Sequence, residues 1–129
     1  MKICFIGKLD KLYADRSIDH INKISKDVDI YDSSLSNVFP KKIIDNKYDI
    51  IISYISNWII PEIVLQKTKR WNINFHPGPP EYPGTGCFNF AIYDSAENYG
   101  ATAHIMDPLV DRGKIISVKR FPLDVHDTV

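Results

Sequence analysis

The sequence predicts an α/β fold, a mostly parallel sheet flanked by helices. Three observations predict it. Short apolar, β-branched runs alternate with helical stretches along the chain. The run Asp49-Ile50-Ile51-Ile52-Ser53-Tyr54-Ile55 is apolar on both faces, as a central parallel strand covered on both sides must be. The run Trp71 to Phe75 ends in Asn74-Phe75-His76, followed by Pro77-Gly78-Pro79-Pro80-Glu81-Tyr82-Pro83-Gly84, whose backbone cannot be helical. Ligands of parallel sheets bind beyond the carboxyl ends of the strands. A polar pair at a strand end therefore lies where a site is expected.

The elements follow in order. Lys2 to Ile6 is a short buried strand ending at Gly7, and Lys8 to Arg16 is polar and loop-like. Ser17 suits a helix N-cap, with Ile18, Ile21 and Ile24 on the inner side of the helix. Val28 to Tyr31 is a second strand, Asp32 to Asn37 is turn-rich, and Pro40 to Lys47 holds a helical turn or two. After the central strand, Pro61 opens a helix over Glu62 to Thr68. Cys87 to Glu97 reads as a helix with Phe88, Ala91, Ile92 and Ser95 inward, ended by Asn98-Tyr99-Gly100. Two β-rich segments close the chain, Ala101 to Met106 and Lys114 to Phe121, joined by residues 107–113. Asp127-Thr128 has the character of a helix N-cap, yet the sequence stops at Val129, which leads us to expect a shortened C-terminal end.

At 129 residues the chain has room for one domain, and 44% hydrophobic content argues for a packed core. The 16 basic and 16 acidic side chains cancel, so nothing points to a bulk electrostatic grip on nucleic acid or an anionic membrane. No apolar run approaches the roughly 18 residues that span a bilayer. Met1 to Gly7 is too short for a signal peptide, and a cytoplasmic location is expected. Cys4 and Cys87 are expected to be free thiols. His20, His76, His104 and His126 show no short ligand spacing, so no metal is expected. The absence of a Gly-x-Gly-x-x-Gly pattern after the first strand argues against an ordinary dinucleotide site.

Alternate strand residues point the same way, so Asn74 and His76 can share one face. A carboxylate from Asp111 would complete a constellation able to polarise a carbonyl and move a proton. Taken alone, Asn-x-His is a weak signal, because a histidine before a proline is often a turn residue satisfied by backbone.

The combination is more specific. Asn74-Phe75-His76, the Pro/Gly loop, and Gly100-Ala101-Thr102-Ala103-His104-Ile105-Met106-Asp107 running into Asp111-Arg112-Gly113-Lys114-Ile115-Ile116 resemble the formyltransferases that use 10-formyltetrahydrofolate. Within that family, the loop and Cys87-Phe88-Asn89-Phe90-Ala91 are most similar to the branch that N-formylates amino sugars on nucleotide carriers. The resemblance implies a Rossmann-like formyltransferase fold, truncated at the C-terminal end, with 1–129 as the N-terminal and central part of a single catalytic domain. It implies 10-formyltetrahydrofolate as co-substrate and a nucleotide-linked amino sugar as partner, with a homodimer left open.

The resemblance also implies roles. Asn74 matches the residue that hydrogen-bonds the formyl oxygen. His76 matches the proton-transfer residue, and Asp111 the carboxylate that pairs with it, in preference to Asp107. Trp58, Ile59 and Ile60 match residues lining the pterin pocket, although ordinary core packing would explain them equally. The stretch from Ile105 through Val110 to Asp111 would close its other side. Tyr82 and Gly84 are expected on the substrate-binding side, with Tyr82 either meeting the sugar or fixing the loop, and His104 supports its strand rather than performing chemistry. Formyl transfer to an amine passes through a tetrahedral intermediate with charge on oxygen, which a preorganised donor stabilises by roughly 3 kcal/mol. The same three residues would serve a 10-formyltetrahydrofolate hydrolase, and a short chain could instead be a non-catalytic folate-binding module.

Overall fold

The computed structural model describes residues 1–10, 13–108, 113–124 and 126–127. They form two compact units, Met1–Ile73 and Asn74–Val129, and the border falls inside a strand. The elements are β1 (Lys2–Gly7), α1 (Ala14–Ile24), β2 (Asp27–Asp32), α2 (Lys41–Asp45), β3 (Ile50–Tyr54), α3 (Glu62–Lys67), β4 (Trp71–His76), α4 (Cys87–Tyr93), β5 (Asn98–Ile105) and β6 (Ile115–Pro122). Among the described residues, no helix is long and apolar enough to cross a membrane.

In the first unit the strand order is β2-β1-β3-β4. β1 pairs in parallel with β2, Phe5 opposite Ile30, and with β3, Phe5 opposite Ile52. Alternation divides β1 between two cores. Ile3 and Phe5 pack with Ile21 of α1, joined by Ile18, Val28, Ile50, Ile52 and Tyr54. Cys4 and Ile6 point to the opposite face and are equally buried, as are Ile51, Ile43 of α2 and Val64 and Leu65 of α3. Tyr48 is buried at the strand edge, its hydroxyl donating to Asp29 Oδ2 at 2.9 Å and lying 3.3 Å from the Tyr31 hydroxyl. The Asp49 carboxylate accepts the Lys2 N–H at 2.6 Å, and this bond, more than the Lys69 ammonium, holds it below the usual carboxylate range. Cys4 and Cys87 are free thiols, as expected.

Two details of α1 depart from expectation. The chain enters it through Tyr13 in the left-handed region (φ 73°), so Ser17 lies inside the first turn rather than capping it. Its hydroxyl bonds back to Tyr13 O at 3.2 Å, the usual outlet for a serine inside a helix. Ile24 is 65% exposed because α1 stops beneath it and Ser25 N–H closes on Ile21 O.

The second unit has the strand order β4-β5-β6, with β5 and β6 antiparallel. Here α4 is shorter than expected. Ser95 takes the left-handed conformation (φ 53°), its N–H returns to Ile92 O and the Ala96 N–H to Ala91 O. That pair of bonds closes a helix end. Ser95 is consequently exposed, and Asn98-Tyr99-Gly100 opens β5 instead of ending the helix. Gly100 permits this pairing, since a Cβ there would sit 2.6 Å from Lys119 O on β6. The β5–β6 register shifts between Ala103 and His104, leaving Ile116 as an extra residue on β6.

Candidate active site

Asn74 and His76 leave β4 two positions apart, and each meets a partner within the second unit, to which both belong. The His76 ring is 7% exposed, with Nε2 2.9 Å from Tyr82 O. A carbonyl oxygen only accepts, so Nε2 carries a hydrogen and donates it. Asn74 Nδ2 lies 3.1 Å from His104 Nε2, while His104 Nδ1 lies 3.0 Å from Ile105 O. The same rule puts the His104 hydrogen on Nδ1. In the neutral ring, Nε2 then accepts from the Asn74 amide nitrogen.

The Pro/Gly loop doubles back over the imidazole. It can do so because residue 78 has no side chain: a Cβ there would be 2.7 Å from His76 Nε2, 3.0 Å from Tyr82 O and 3.1 Å from the Cys87 Cβ. The loop's carbonyls are satisfied from outside it. Tyr99 donates its hydroxyl to Pro77 O at 2.7 Å, and the buried Thr102 hydroxyl donates to Gly78 O at 2.7 Å. Burial, then the neighbouring Cys87 thiol, push the Tyr99 phenol far above its ordinary value, so it stays a donor. Further out, Arg120 of β6 grips the Glu81 carboxylate with both nitrogens, at 3.1 and 2.5 Å. The hydrogen bonds from Arg120 hold the Glu81 carboxyl below the usual range, and Glu81 raises Arg120 in turn. The Tyr82 hydroxyl donates to Asp94 at 3.2 Å. A recess of about 20 Å³, space for a single water, lies among His76, His104, Thr102 and the prolines 79, 80 and 83.

The expected site residues are distributed as follows. Asn74 and His76 are together at one strand end. Asp111 and Val110 lie outside the described residues. Trp58 is buried, its indole N–H donating to Ser36 O at 2.6 Å and its ring edge-on to Phe39. Ile60 is also buried, whereas Ile59 is 72% exposed. Ile105 ends β5, half-buried, its N–H on Lys114 O. Tyr82 serves the loop, through its carbonyl on His76 and its phenol on Asp94. Gly84 has φ 78° and open space where a Cβ would be, so its backbone conformation is what asks for glycine. Thr102 and His104 make the contacts that sequence reasoning assigned to no role at the site. Their signal was present: Thr102-x-His104 repeats the spacing of Asn74-x-His76 on the next strand of the sheet.

An amide and a buried imidazole thus stand at one strand end, the first held by His104 and the second covered by the Pro/Gly loop. Residues 19–129 match the family described as formyl transferase, and the chain belongs to that family. It is 34% identical over 82 residues to the methionyl-tRNA formyltransferase of Ehrlichia chaffeensis, covering 63% of this chain and 27% of that protein. It is 32% identical over 81 residues to the GDP-perosamine N-formyltransferase of Brucella melitensis, covering 62% of this chain and 31% of the relative. The chain thus spans about three-tenths of the length of these relatives. Among solved structures, the N-formyltransferase of Helicobacter canadensis with folinic acid and dTDP-3-aminofucose has TM-score 0.80 and 21% identity, over 99% of this chain and 55% of that one. At that identity the likeness is one of fold.

Proposed function

We propose that the chain carries the reacting centre of a transferase that moves a formyl group from 10-formyltetrahydrofolate to the amine of a nucleotide-linked amino sugar. The observation that carries the reading is the fixed orientation of Asn74 and His76. The Asn74 amide, held against His104, is a donor of the kind that suits a formyl oxygen, where negative charge grows during transfer. His76, oriented through Nε2 by the Tyr82 carbonyl, is the group assigned to exchange a proton with the attacking amine. Asp111 is assigned to stabilise the imidazolium so formed. The folate donor supplies an activated formyl carbon, and these residues fit it because they offer a donor and a base and no covalent nucleophile.

The sugar acceptor is supported by the Pro/Gly loop and by the names of two similar proteins, the GDP-perosamine and dTDP-3-aminofucose enzymes. Methionyl-tRNA formyltransferases are equally similar in sequence, but a net charge of zero argues against a tRNA-sized polyanion. The test is incubation of the full chain with 10-formyltetrahydrofolate and, in parallel, nucleotide-linked 3-amino or 4-amino sugars, methionyl-tRNA, or no amine. Formylated nucleotide sugar, with turnover lowered roughly 100-fold or more by Asn74→Ala, is the expected result. Formylation of the tRNA alone overturns the sugar assignment. Formate release at the same rate without an amine identifies a hydrolase, and no turnover from folded protein overturns the reading altogether.

A further inference from the structure

We infer that Arg120 is a positioning residue for formyl transfer, acting on His76 through the turn that carries Glu81 at its tip. The inference rests on the reading above and deepens it. Residues 79–82 form one stiff piece. The Tyr82 N–H closes on Pro79 O at 3.0 Å, and Pro80 occupies the turn position whose φ a proline ring presets. Pro79 is fully buried, so the piece is rooted inside the unit. Its last carbonyl, that of Tyr82, takes the His76 Nε2–H at 2.9 Å. Its tip, Glu81, is gripped by both Arg120 terminal nitrogens, at 3.1 and 2.5 Å. Glu81 and Tyr82 are adjacent in a turn with little freedom, so a shift of the tip shifts the carbonyl that orients the ring.

The surroundings support this assignment. Arg120 pairs across the sheet with Gly100 of β5, where the strands approach so closely that a Cβ on residue 100 would sit 2.6 Å from Lys119 O. The backbone that carries the guanidinium is thereby fixed. From β5, Tyr99 bonds Pro77 O and Thr102 bonds Gly78 O, which secures the start of the loop and stops short of the turn. The turn itself is tied by Arg120 on Glu81 and by the Tyr82 hydroxyl on Asp94 at 3.2 Å. Of these two ties, the first is bidentate with both partners charged, the stronger kind and one that arginine provides and lysine does not. Glu81 and Arg120 are about half exposed, so salt can loosen their grip while the buried bonds persist.

Arg120→Ala, Glu81→Gln and the double variant separate positioning from general stability, in the full chain assayed well below its melting temperature. At saturating substrate and low salt, kcat should fall roughly three- to fivefold in each single variant, with KM for the folate within about twofold. The double variant should lose no more than either single one, because the pair acts as a unit. Arg120→Lys, a point charge in place of a fork, should fall between wild type and Arg120→Ala. Wild-type kcat should decline towards the variants' value as salt rises from about 0.05 M to about 1 M, while theirs stays level. Losses that multiply, a loss carried by KM alone, or a wild type no more salt-sensitive than its variants overturn the inference. A second measurement does not depend on turnover. In protein labelled with ¹⁵N-histidine, the His76 Nε2–H should exchange with solvent roughly three- to fivefold faster in Arg120→Ala than in wild type at low salt. Equal exchange in the two overturns the inference. Faster exchange in a protein that formylates none of the acceptors upholds the hold of Arg120 on the ring and rejects only the proposed function.

Discussion

Gly78 and His76 are in contact through an absence: a single methyl group on residue 78 would press to within 2.7 Å of the imidazole Nε2. The loop passes so close because its carbonyl at Tyr82 must reach the same nitrogen. The histidine's orientation and the glycine therefore have one cause.

The first prediction concerns Gly78→Ala. The new Cβ meets the imidazole, the Tyr82 carbonyl at 3.0 Å and the Cys87 Cβ at 3.1 Å, and two of these belong to groups that cannot swing away. Overpacking of this kind costs about 1–3 kcal/mol. Chemical denaturation should show that loss, and the formyl transfer proposed above should fall further than stability does because His76 is displaced. A variant with wild-type denaturation midpoint and turnover would show that the loop does not hold the ring.

Thr102→Val tests the brace on the other side of the loop. The change is nearly isosteric, but it strips Gly78 O of a buried donor at 2.7 Å. An acceptor left unsatisfied in the interior costs about 1–3 kcal/mol. Thr102→Ser keeps the hydroxyl and loses one methyl, so it should retain most of the stability. If urea titrations rank valine above serine, the hydrogen bond is not what the position provides.

Much of this architecture could be read from the residues. The β1 to β4 strands and the three helices between them follow from local apolar runs, and Asn74 and His76 from their spacing before a proline-rich loop. The misread parts have physical reasons. Asn98-Tyr99-Gly100 has turn composition, yet Gly100 is there to let Lys119 O approach, a demand made by a strand that comes later in the chain. The end of α4 depends on a serine adopting φ 53°, which local propensity disfavours and the closing bonds to Ala91 and Ile92 stabilise. The link from Asn74 to His104 joins residues 30 apart, and that from Glu81 to Arg120 residues 39 apart. Neither leaves a local trace.

The Glu81–Arg120 pair gives a prediction in pH. Its two side chains are about half exposed, so its value is small and salt-sensitive. The folded carboxyl lies below its ordinary value of 4.5, chiefly through the Arg120 hydrogen bonds. The stabilisation is therefore complete above pH 4.5 and is lost as pH falls through the lower folded value. Glu81→Gln should lower the melting temperature slightly at pH 7 and low salt. The gap to wild type should close at pH 3 and narrow in 1 M salt. A gap that persists at pH 3 would assign the effect to packing of the loop instead of charge.

Cys4 provides a test of the first unit's core. It is fully buried on β1, and burial, followed by the charge of Asp29, pushes its thiol up to about 12. At pH 8 the thiolate, which is the reactive species, is then a minute fraction, and no reagent can reach it without the strand opening. Alkylation of Cys4 in native protein should therefore be negligible over hours and should accelerate in urea in step with global unfolding. Tyr48→Phe bears on the same place. It removes the hydroxyl that donates to Asp29, and an acceptor stripped of a bond to a charged group costs about 1.5–3 kcal/mol. Cys4 labelling in that variant should begin at lower urea than in wild type, read by mass spectrometry of the modified peptide. Fast labelling of Cys4 in the native wild-type protein would mean that β1 opens locally, and that the sheet beneath the first unit's loops is not the rigid platform its burial implies.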